Sequence, residues 1–135
     1  MSHFTKLSLE IKNIKALILA AEKMGLKVEE NAKARGWQGN RLKADYVIRG
    51  DAGYDVAVQK KANGSYELVA DWSMMNSSFK KIVGPNGGLL VQNYGVACVA
   101  ELAEEQNMNT EFELVEDGTI RLILTEKEEE YVSQY

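Results

Sequence analysis

Two short polar dipeptides constrain the fold of this chain more than any other feature. Asn63-Gly64 stands between two runs of alternating apolar and polar residues, Tyr54, Val56 and Val58 before it and Tyr66, Leu68 and Ala70 after it. Asp117-Gly118 stands in the same way between Phe112 and Leu114 on one side and Ile120, Leu122 and Leu124 on the other. Asn-Gly and Asp-Gly adopt positive φ at both central positions of a type I′ turn, so each dipeptide predicts a tight β-hairpin. Strands joined by such turns are antiparallel, which places an antiparallel sheet including both hairpins at the centre of the fold.

The remaining elements follow from periodicity. Thr5, Leu7, Leu9 and Ile11 alternate with Phe4, Lys6, Ser8 and Glu10, as a half-buried strand requires. Asn13 is a suitable helix N-cap, and Ile14, Leu17, Ile18, Ala21 and Met24 form one apolar stripe that ends at Gly25. Val28 opens a short strand at most, and residues 34–41, with two glycines and little periodicity, read as a loop. Ala44 to Arg49 predicts a strand, and a second helix is expected from about Leu89 to Gln106. The segment from Ser73 to Ile82 is ambiguous, and Val83-Gly84-Pro85-Asn86-Gly87-Gly88 is a breaker cluster. The order β-α-(β)-β-β-β-α-β-β predicts an α+β domain of two layers, an antiparallel sheet with two helices packed on one face. Residues 1–125 form one domain in this reading, and residues 126–135 an acidic C-terminal tail, solvated and frayed.

Composition narrows the function classes. A net charge of −4 disfavours a general nucleic-acid binder, because phosphate backbones are gripped by basic surfaces. One cysteine, Cys98, implies no internal disulfide, and with one histidine, His3, it leaves too few ligands for a structural zinc site. No apolar run reaches the length of a membrane span, and the N-terminus lacks a signal-peptide pattern. A cytoplasmic protein is expected, stromal if the source is a plastid. No cofactor and no metal is expected.

Several segments together resemble one family. Met1-Ser2-His3-Phe4, Arg35-Gly36-Trp37-Gln38-Gly39, Lys43-Ala44-Asp45, Tyr54-Asp55-Val56 and Tyr66-Glu67-Leu68-Val69-Ala70-Asp71 occur in order, followed by Gly118-Thr119-Ile120-Arg121-Leu122. This set is similar to the conserved hypothetical chloroplast reading-frame thirty-five family, a domain of unknown function found in cyanobacteria, algal plastids and other bacteria. The resemblance implies no established activity. The chain departs from it between Trp72 and Gly88, in the second helix, where Val96 and Ala97 replace the family's tyrosine and histidine, and in the acidic tail.

Candidate sites each carry two readings. In the loop at 35–41, Arg35 and Arg41 offer guanidiniums for a phosphate or carboxylate, Trp37 a stacking face and Gln38 an amide. With His3 they form the expected ligand-binding set. The alternative is that Trp37 plugs the core and the glycines make turns. His3 as a base would need an aspartate partner such as Asp45, Asp55 or Asp71; otherwise it anchors the first strand. Asp45, Asp55 and Asp71 on neighbouring strands could hold a divalent cation or be solvated charges. Cys98 lies on the buried helix face and reads as core. Gly84-Pro85-Asn86-Gly87-Gly88 reads as a connection rather than an anion nest. Met74 and Met75, with Trp72 and Phe79, are either a sticky surface for a partner or the rim of the core. The function expected is a non-catalytic accessory or partner-binding protein that self-associates, with a small-ligand binder of nucleotides or phosphate compounds through the loop at 35–41 as the alternative. The reading leans away from an enzyme, and a hydrolase or transferase using His3 and an aspartate is a third, distant option that requires His3 to face a cleft.

Overall fold

A computed structural model describes residues 4–6, 10–51, 53–73, 75, 77–114 and 120–127. Its elements are β1 (Thr5–Lys6), α1 (Ile14–Lys23), β2 (Lys27–Arg35), β3 (Arg41–Arg49), β4 (Val56–Lys60), β5 (Tyr66–Ala70), α2 (Ser77–Val83), α3 (Gly88–Glu105), β6 (Met108–Leu114) and β7 (Ile120–Glu126). Five strands form an antiparallel sheet in the order β1-β5-β4-β3-β2. The fold is α+β, with the antiparallel sheet and two long helices that the periodicity predicts.

Alternation sets the faces. Ile48, Val56, Val58, Leu68 and Ala70 point towards the helices, where they meet Leu17 and Ala21 of α1, Phe79 and Val83 of α2, and Leu90 of α3 in one buried cluster. Burying a side chain such as Phe79, Leu17 or Leu68 contributes about 1.5–3 kcal/mol relative to leaving it in water. Asn13 caps α1 by accepting from the Ala16 amide at 3.1 Å, as expected. It also ties the two long helices together, because its Nδ2 donates to Glu101 of α3 at 2.7 Å. Cys98 packs with Tyr94 against Ala16, Ala20 and Ala97 in the seam between α1 and α3.

Four features differ from the sequence expectation. First, residues 27–49 form a nine-plus-nine-residue hairpin, β2–β3, with Arg35 paired to Arg41 across its tip. In β2, Val28, Ala32 and Ala34 share one alternating set, but Glu30 interrupts it and the alanines are only weakly apolar, so the set does not stand out in the sequence; Ala34 is nonetheless buried. Second, the Asn63-Gly64 turn is not type I′. Lys61 and Ser65 are bonded (Lys61 N to Ser65 O, 2.7 Å), and Gly64 N donates to Lys61 O at 3.0 Å. Only Gly64 has positive φ, 88°; Asn63 does not. This is a three-residue loop, a type I turn followed by a left-handed glycine, and Asn63 Oδ1 holds it by accepting from Ser65 N and Oγ. Third, β6 and β7 pair with each other as a separate two-stranded sheet. Their turn lies outside the described residues. Fourth, Trp72, Met75 and Phe79 are core residues, so they offer no sticky surface; Met74 lies outside the described residues.

Candidate functional site

The second face of the sheet is covered by its own chain. Val47, Ala57 and Val69 alternate away from the helices, and Ala34 and Ala44 from the distal half of the β2–β3 hairpin pack onto them. Phe4, Ala32 and Leu42 close the edge of this cluster. The hairpin can curl because β3 pairs with β4 only from Tyr46↔Val58 to Ile48↔Val56, leaving residues 41–45 free to leave the sheet. Asn31, at φ 53°, breaks the ladder of β2 at the same level. The central strands are consequently buried on both faces, which explains runs such as Val56, Ala57 and Val58.

Curling brings the end of β2 to the start of β4, where Asp55 holds it. Asp55 is wholly inaccessible to solvent. Its Oδ2 accepts from Arg35 N and Nε, each at 2.8 Å, and from Arg49 Nη1 at 2.9 Å. Its Oδ1 accepts from Arg35 Nη2 and Gly50 N, each at 2.9 Å. The Asp55 amide donates to Arg35 O at 3.1 Å, so main chain joins main chain at this point. Arg35 Nη2 also donates to Gly50 O at 3.0 Å. Arg49 reaches back to Glu29 Oε2 through Nε and Nη2, and to Lys33 O through Nη1 at 2.7 Å. Gly50 is glycine for a steric reason: a Cβ there would stand 2.2 Å from Tyr54 O and 2.3 Å from Phe79.

Burial by itself would raise the Asp55 pKa; the Arg35 guanidinium and the Gly50 and Arg35 amides outweigh it and hold the carboxyl below its usual range. Glu29 is lowered too, first by its hydrogen bond from Arg49. Asp55 is therefore an ionised acceptor with both oxygens engaged, chemistry that suits a clamp and not a proton carrier at neutral pH.

Of the residues expected to bind a ligand, Arg35, Trp37, Gln38 and Arg41 all stand at the tip of the β2–β3 hairpin. Arg35 directs Nε and Nη2 at Asp55. Trp37 and Gln38 belong to a one-turn 3₁₀ segment at the hairpin tip, with Gln38 exposed and at φ 54°. Arg41 is exposed, its Nη1 on Asn40 O at 3.1 Å. His3 lies outside the described residues. The three aspartates do not converge: Asp45 is exposed and accepts from the Lys60 amide, and no cluster able to hold a metal occurs among the described residues. Arg49, Glu29 and Gly50 were missed. The one available signal was Asp55 itself, a charge inside the apolar run Tyr54 to Val58.

A family model described as protein of unknown function (DUF1257) matches residues 20–123. The chain belongs to this family. No curated protein and no solved structure matches it. The matched span contains Glu29, Arg35, Arg49, Gly50 and Asp55, so the whole clamp lies within the family's domain, as do α3, β6 and most of β7. No helix among the described residues is long and apolar enough to cross a membrane.

Proposed function

We propose that this protein is a non-catalytic partner-binding protein that self-associates through the β6–β7 ribbon. The observation that carries the reading is that these two seven-residue strands pair only with each other among the described residues. A two-stranded ribbon is marginal alone and gains stability from further strands or a covering layer. Here it meets α3, and Lys127 staples its base by donating from N to Asn107 O and from Nζ to Glu104. Leu102 of α3 and Ile123 of β7 are left 53% and 37% exposed. A second copy supplies a matching apolar surface and two further strand edges.

The five-stranded sheet is a poorer candidate for pairing. β1 is two residues long, and the distal edge of β2 is consumed by Asp55 and Arg49. The rest of that edge carries Lys27, Glu29 and the kink at Asn31, features that discourage strand addition. We also propose a cytoplasmic location, or a stromal one if the source is a plastid. Sedimentation equilibrium over a range of protein concentrations tests it: a dimer or larger assembly is expected, and a monomer at every concentration ends the proposal.

A further inference from the structure

We propose that residues 31–45, the curled half of the β2–β3 hairpin, are a hinged flap that opens as one unit off the second face of the sheet while the helix-facing core stays folded. The hinge is built into both strands at one level. The β2–β3 ladder runs from Lys27↔Arg49 to Glu30↔Tyr46, skips Asn31 and Asp45, and resumes at Ala32↔Ala44. Asn31 stands at φ 53°, and the pairing of β3 with β4 stops at Tyr46↔Val58, the same level. Rotation there leaves the rungs of both ladders intact, because a few residues absorb the change in φ and ψ.

The flap is held shut by little apolar surface and by two latches. Its buried side chains are Ala34 and Ala44, one methyl group each, with Ala32 and Leu42 at the margin. The other face of the sheet is covered by far larger groups, Leu17, Phe79, Val83 and Leu90. The first latch is ionic: Arg35 grips Asp55 through its amide, Nε and Nη2, and Arg49 adds a bond to Lys33 O. The second latch is a ring. Phe4 precedes β1, at the edge of the sheet opposite β2, and lies so close to Gly36 that a Cβ there would stand 2.8 Å from its Cζ. The flap thus spans the sheet from edge to edge. At the hinge, side chains take the place of ladder bonds: Asp45 Oδ2 accepts from the Lys60 amide, and Gln59 Nε2 donates to Lys43 O, both at exposed positions. Opening uncovers Val47, Ala57 and Val69, an apolar face in the middle of the sheet. Units covered so lightly open at free energies below that of global unfolding. The flap shares no residue with the association surface.

Native-state hydrogen exchange of the full chain in sub-denaturing urea tests the proposal. The amides of Arg35 and Asp55 bond across the first latch, to Asp55 Oδ2 and Arg35 O. They are expected to exchange through one shared opening with a shallow urea dependence, and to be protected at least about tenfold less than the slowest amides of β4 and β5, which wait for global unfolding. A second measurement reads the uncovered face. In a chain with Cys98→Ala, Ala57→Cys places a thiol under the flap and Ala70→Cys places one under the helices, both at fully buried positions of the same sheet. A soluble disulfide reagent should label the Ala57→Cys variant at least about tenfold faster than the Ala70→Cys variant in the absence of urea. One protection factor and one urea slope for both sets of amides, or equal labelling of the two thiols, would overturn the flap.

Discussion

Replacing Asp55 by asparagine removes the charge that pins the curled hairpin while leaving the shape of the side chain. An amide nitrogen must then take the place of one carboxylate oxygen. At Oδ1 it would face Arg35 Nη2 and the Gly50 amide, both donors; at Oδ2 it would face three donors from Arg35 and Arg49. The milder choice forfeits two bonds, one of them from a guanidinium, and hydrogen bonds to charged groups contribute about 1.5–3 kcal/mol each. Breaking a buried ion pair costs about 3–5 kcal/mol. The side chains of Arg35 and Arg49 remain 34% and 23% exposed, so water can take up part of the lost bonding and the lower end applies, about 3 kcal/mol. For a domain of this size that lowers Tm by roughly 10 °C. Urea unfolding followed by circular dichroism measures it directly. The pH dependence gives an independent check. The folded pKa of Asp55 lies below its unfolded value, so its contribution is present above the unfolded pKa of about 3.9 and is lost as pH falls through the folded pKa. Wild-type stability should therefore decline on acidification from about pH 5, and D55N should show a shallower decline. A D55N protein within about 0.5 kcal/mol of wild type, with the same acid limb, would refute the clamp, since that is the scale of an ordinary surface change.

Other substitutions probe separate parts of the account. Gly50→Ala should lower Tm by 10 °C or more or yield insoluble protein, because its Cβ meets backbone at Tyr54 and the ring of Phe79; differential scanning fluorimetry reads this. Gly64→Ala should cost only about 1–2 kcal/mol in urea unfolding, since the space around it is open and the penalty is the left-handed conformation at φ 88°. Phe79→Ala should cost about 3–5 kcal/mol by the same measurement if the segment after Trp72 is core.

The helix-facing half of the fold was legible because its signals are local. Asn13 capping a stripe that contains Leu17 and Ala21, and the alternation of Val56, Val58, Leu68 and Ala70, are short-range patterns that the structure realises in place. The hairpin β2–β3 was not legible. Its buried face is made of alanines, Ala32, Ala34 and Ala44, which are small enough to lie flat on Val47 and Ala57 but carry no hydrophobic periodicity that stands out against Lys33 and Lys43. The clamp was hidden for a different reason: Arg35, Arg49 and Asp55 come together only through the curl, which depends on where β3 stops pairing with β4. Asn-Gly correctly located the first hairpin and misjudged its turn. Asn63 puts its side chain to work on Ser65 and leaves the left-handed position to Gly64 alone.

The central functional claim is that the β6–β7 ribbon joins two copies of the chain. Light scattering coupled to size-exclusion chromatography, applied to wild type and to Leu102→Glu with Ile123→Glu, tests it most directly. Both residues are exposed, so the variant should keep its circular dichroism spectrum and melting curve. The account predicts twice the 15.1 kDa chain mass or more for wild type and the single-chain mass for the variant. Wild type eluting as a single chain, or a variant that assembles as wild type does, would contradict it.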